Sequence, residues 1–183
     1  MSKKMNNEPY LTTRDMALTA LFCAVYVVLN LTLGPLSFTL TSLPIIHDFA
    51  VFFTLLIVAW ITGRYGTSSI TGIIGSTVAM LLSGLPLMVG FLPAAIIFDL
   101  VLIANHHKIR ISAYSLAVAA IATILSAYVA GVVIGFIFSG MTLLMALTYW
   151  GVWHAIGGVL AIVITFPVIA GLEKANVRKI VVG

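Results

Sequence analysis

The sequence predicts an all-α membrane protein: a bundle of six transmembrane helices with both termini on the cytoplasmic side. Three observations carry that expectation. Of the 183 residues, 62% are hydrophobic and only 8% charged, against roughly a quarter charged in soluble domains. The apolar residues gather into six long segments, and the basic residues fall between alternate ones. A soluble fold of this size cannot bury so much apolar surface, so part of its solvent must be lipid.

Crossing a hydrocarbon core of about 30 Å takes roughly 20 helical residues at about 1.5 Å each. Segments that meet this requirement are Met16–Leu33, Ile45–Thr62, Ser68–Ser83, Pro86–Ala104, Ser112–Ser139 and Leu143–Leu172. Thr12 and Asp15 form a capping-box pattern at the start of the first. Lys3 and Lys4 before an apolar run also fit a signal peptide. The run has no A-x-A-like cleavage site, however, and is read as a retained span. Residues 1–11 are read as a flexible cytoplasmic tail and 12–183 as one transmembrane domain.

Charge sets the orientation. Lys3, Lys4 and Arg14 precede the first span; Arg64 lies between the second and third, and Lys108 and Arg110 between the fourth and fifth. Lys174, Arg178 and Lys179 follow the sixth. Connections 34–44, 84–85 and 140–142 hold no Lys or Arg, so the basic side is cytoplasmic by the positive-inside rule. The formal net charge of +4 does not indicate nucleic-acid binding, because the cations form no stripe on one face. Cys23 is the only cysteine, which excludes an intrachain disulfide and a thiolate metal cluster. The uncharged connection GPLSFTLTSLP (34–44), with Pro35 and Pro44, is expected to fold back as an extended segment over the outer mouth of the bundle.

Small residues mark the packing seams, since helices in lipid associate through close contact at small side chains. One row is Thr123, Ala127, Gly131 and Gly135; others are Gly72 with Ser76, and Gly75, Ala79 and Ser83. Pro93 and Pro167 permit kinks.

Ionisable groups inside a membrane need a partner or a purpose. Asn30, His47 and Asp48 fall near the outer ends of their spans, and His154 lies roughly 17 Å from the outer end of the last by helical rise. The run YWGVWHAIGG (149–158) adds Tyr149, Trp150 and Trp153. These seven residues are the candidate substrate-binding set. Indole faces stack on planar rings, while imidazole and carboxylate fix orientation; the alternative is an interfacial aromatic belt beside a structural histidine. Asp99, in the inner half, is expected to pair with Lys108 or Arg110 or to cap a neighbouring helix. His106 and His107 are expected to be solvated.

The chain has no GxxxxGK[ST] phosphate loop and no HExxH zinc site. A six-span serine protease would have to use Ser76 with His154, outside the usual G-x-S-G surroundings, so no catalytic residue is assigned. No internal repeat of a proton-coupled carrier is visible.

The opening RDMALTALFCAVYVVLNLTLGPLSF, its Ala20/Ala24 row, the uncharged outer connection and the six-span layout together resemble the substrate-binding (S) components of energy-coupling factor transporters, the prokaryotic vitamin importers. The likeness covers nearly the whole chain. It implies a non-enzymatic, multi-pass subunit of the prokaryotic plasma membrane, without a cofactor, that captures a vitamin or related nutrient from outside. It also implies a transmembrane coupling protein, met at Ala20 and Ala24, and two ATPase subunits. The Met-His start of the family's nickel and cobalt binders is missing, which disfavours a metal substrate, although His47, Asp48 and His154 could ligate one. With no Lys or Arg in the outer half, a neutral or cationic nitrogen heterocycle suits the site better than a polyanion. The alternative is a stand-alone six-span carrier or channel.

Overall fold

The computed structural model describes residues 10–178. Most of the tail expected over residues 1–11 lies outside them, as do Lys3, Lys4 and Lys179. Every regular element among the described residues is helical. The helices are α1 (Thr13–Thr41), α2 (Ile45–Thr62), α3 (Thr67–Ser83), α4 (Pro86–Asn105), α5 (Ala113–Phe138) and α6 (Leu143–Lys174). All but α3 are long and apolar enough to cross a membrane; α3, with 17 residues, is shorter. Large apolar side chains face outward on every helix but α2, among them Leu21, Val28, Leu81, Leu100, Ile121 and Val163. An exterior of this kind belongs in lipid, and the chain is a multi-pass membrane protein.

Helix α2 forms the axis. It touches α1, α3, α5 and α6, and 78% of its apolar window is buried. Helix α4 closes the ring between α3 and α5.

The small-residue rows are seams. A Cβ at Gly131 would lie 2.7 Å from His154 ring atoms, one at Gly158 2.9 Å from Ala127, and one at Gly135 3.0 Å from Trp150. One at Gly75 would meet the Tyr26 ring at 2.5 Å. The adjacent Gly157 and Gly158 serve different neighbours, Asp48 of α2 and the Thr123/Ala127 row of α5.

The capping box at the start of α1 is present: Asp15 N donates to Thr12 Oγ1 at 3.2 Å and Thr12 N to Asp15 Oδ2 at 3.0 Å. The extended connection expected over 34–44 is not. Helix α1 continues through Pro35 to Thr41, and only Ser42, Leu43 and Pro44 turn the chain. Buried Ser37 holds that turn, donating to Leu43 O at 2.7 Å and accepting from Ile46 N at 3.0 Å. Proline costs one amide bond, and two further turns of helix in contact with α2 outweigh it.

The junctions that carry basic residues converge at one end. Arg64 lies 3.9 Å from Asp15, and a Cβ at Gly63 would approach Arg178, His107 and Lys108. Asp99 does not pair with Lys108 or Arg110. Its Oδ2 accepts Gly66 N at 3.1 Å and Ser69 N at 2.7 Å, capping α3 from a neighbouring helix. His107, expected in solvent, is buried against Tyr65 with ring centroids 5.0 Å apart. Its Nδ1 is 3.9 Å from Asp99 Oδ1. His106 and His107 are consecutive residues at φ 56° and 57°, and this turn sends the first outward and the second inward. Burial lowers the His107 pKa, against the opposing pull of Asp99.

Candidate functional site

At the end opposite the basic junctions, α2 presents His47 and Asp48 in its first turn, and α6 brings His154 to them. His154 Nδ1 lies 2.8 Å from Asp48 Oδ1, and both side chains are buried. An ionised carboxylate only accepts, so the imidazole donates through Nδ1. Three atoms of the group then point elsewhere: Asp48 Oδ2, His154 Nε2 and His47 Nε2. None of them has a hydrogen-bond partner among the described residues.

Aromatic rings enclose these atoms. Phe91 of α4 sits edge-on to His47 at 5.1 Å and 6.1 Å from His154. Trp150 is T-shaped to His154 at 5.7 Å, and its Nε1 is also buried without a partner. Asn30 lies one helical turn from Gly34, the residue of α1 that packs on the His47 ring. Its Nδ2 donates to Tyr26 O at 2.8 Å, which leaves Oδ1 unpartnered.

Two candidates stand apart. Tyr149 is 47% exposed. Trp153 is half-buried and meets Tyr149 edge-on at 6.3 Å. Both line the outer flank of α6 rather than the dyad. The division follows from helical geometry, since Trp150 and His154 are one turn apart on one face and Tyr149 and Trp153 one turn apart on the next; a wide π turn spans Ala146–Trp150. Such turns recur at functional sites.

An open volume lies beside the dyad, on its His47 side. A cavity of about 330 Å³ is lined by Gly34, Pro35 and Phe38 of α1, His47, and Leu85, Leu87 and Met88 at the start of α4. Gly34, Pro35 and Phe38 belong to the connection expected over the outer mouth, whereas Phe91 and the Leu85, Leu87 and Met88 side were absent from the sequence reading, and nothing in their local pattern marks them. Ser76 bonds Tyr26 Oη at 2.7 Å, not a histidine. Among the described residues, no group of three or more His, Cys, Asp or Glu is arranged to hold a metal ion. Ala20 and Ala24 are exposed on the outside of α1. Compared with protein-family models, curated proteins and solved structures, the chain matches none.

Proposed function

We propose that this chain is the substrate-capture subunit of an energy-coupling factor importer in a prokaryotic plasma membrane. In this reading it spans six times, with α3, of about 26 Å by helical rise, as the shortest crossing and both termini cytoplasmic. The substrate is a water-soluble vitamin or related planar nitrogen heterocycle. A coupling protein docks on the α1 face that exposes Ala20 and Ala24, and two ATPases drive release inward.

The observation that carries the reading is the buried Asp48–His154 pair, with unpartnered Asp48 Oδ2, His154 Nε2, His47 Nε2 and Trp150 Nε1 beside it. Each unmet buried polar group costs about 1–3 kcal/mol, and several on converging helices call for a ligand that meets them. They offer carboxylate and imidazole positions for donors and an indole N–H for an acceptor, between aromatic edges. The edge of a neutral or cationic heterocycle has that pattern. The apolar cavity beside His47 is the approach.

The test is a titration of purified protein with water-soluble vitamins and simpler heterocycles, followed by tryptophan fluorescence. One such ring compound should quench saturably. Failure of all of them to change fluorescence or melting temperature would remove the substrate assignment. Vesicle uptake that persists after deletion of the ATPase pair would instead make the chain a stand-alone carrier.

A further inference from the structure

The basic end holds a second cleft, between α4 and α5, of about 460 Å³. Asn105, His106, Lys108, Arg110, Tyr114 and Ser115 contribute to its lining, which includes no carboxylate. We propose that this cleft binds the headgroup of an anionic phospholipid that carries hydroxyl groups, as a phosphoglycerol headgroup does. The site is separate from the outer one and does not depend on the transport reading.

Charge is the first argument. Lys108 and Arg110 are exposed and form no ion pair among the described residues. Ser115 ties down the backbone that carries them. Its Oγ accepts from Arg110 N at 2.8 Å and donates to Lys108 O at 3.1 Å. The start of α5 directs its first-turn amides toward the same end of the helix, which adds positive potential.

Asn105 is the second, independent argument. Its side chain lines the cleft yet is only 8% exposed. Nδ2 donates to Ser115 Oγ at 3.2 Å, while buried Oδ1 has no partner. A carbonyl oxygen needs a donor, which a glycerol hydroxyl always supplies and a phosphate monoester, mostly its dianion at neutral pH, supplies only in its minor protonated form.

The surroundings decide between lipid and free anion. Ile103 and Ile111 stand exposed beside the cleft. Tyr114 is exposed with its hydroxyl donating to Ala104 O at 2.9 Å, an apolar ring held by a polar tip. Tyrosine so placed belongs at the headgroup level, and basic pockets between membrane helices recognise anionic headgroups. Acyl chains then lie along Ile103 and Ile111.

The test uses the full chain in nanodiscs of equal phosphatidylglycerol and phosphatidylcholine, with native mass spectrometry after release into mild detergent. Wild type should retain phosphatidylglycerol in preference. The Lys108→Gln/Arg110→Gln variant should lose that retention by about tenfold or more, the scale set by two basic residues at a lipid surface. Lys174→Gln, outside the cleft, should keep it, and so should the charge-preserving exchange Lys108→Arg/Arg110→Lys, which controls for folding. Asn105→Leu should shift the preference from phosphatidylglycerol toward phosphatidic acid. Equal retention of both lipids by wild type, or no loss in the double glutamine variant, would overturn the proposal. Displacement by millimolar inorganic phosphate would reassign the cleft to a free anion.

Discussion

Asp48 and His154 come from the second and sixth helices, and their value to a ligand lies in the atoms they do not spend on each other. Asp48→Asn tests this directly. The amide oxygen still accepts from His154 Nδ1, so the fold should hold with little change in melting temperature. The charge presented by Oδ2 is lost, and charged hydrogen bonds contribute about 1.5–3 kcal/mol. Affinity for the quenching ligand should therefore fall about tenfold to a hundredfold in a fluorescence titration; an unchanged affinity would make the pair a packing device. His107 provides a pH prediction at the other end. Its folded pKa is lowered by burial, so below about 6.5 the unfolded chain binds more protons than the native one. Stability should then decline as pH falls from 7 toward 5, and His107→Gln should flatten that slope in thermal melts. A His107→Gln slope equal to wild type would assign the loss to other groups. That His106 is solvated and His107 is not was illegible in the sequence, because two identical neighbours give no cue to the side of a turn each takes.

At the scale of elements, the contact between α5 and α6 positions the site. Gly131 and Gly135 form a recognisable small-residue row, and its role as a seam was readable from spacing alone. What faces it was not: the row seats His154 and Trp150. A Cβ on Gly131 would meet the imidazole at 2.7 Å, so Gly131→Ala should destabilise by about 1–3 kcal/mol and weaken ligand binding. Gly171→Ala, on the same α6 but with open space around it, should leave both nearly unchanged. Thermal melts and titrations of the two variants check this; equal melting temperatures would mean that the seam has slack. The α1 extension shows the limit of reading by residue type. Gly34, Pro35 and Ser37 suggest a broken connection, but the Ser37 bonds and contact with α2 make the helix the better solution. Asp99 acts between elements too, and its role as a cap for α3 was one of two open readings.

For the whole molecule, the exterior of α1 carries the assembly prediction. Ala20 is exposed, so Ala20→Trp creates no internal clash. The variant should bind ligand as wild type does yet fail to copurify with the proposed coupling protein and ATPases. Intact complexes would remove Ala20 from the interface. Taken alone, the sequence determined an all-helical chain suited to lipid, with basic residues at alternate junctions and glycine rows between helices. Hydropathy, charge spacing and side-chain size are properties of short segments, so they survive without knowledge of neighbours. The tertiary structure alone decided that Trp150 joins His154 and the Asp48 carboxylate while Tyr149 and Trp153 stand outside. A helix turns about 100° per residue, so Trp150 and His154 share one face while Tyr149 and Trp153 share the next. Which of them meet is then fixed by the helices packed alongside.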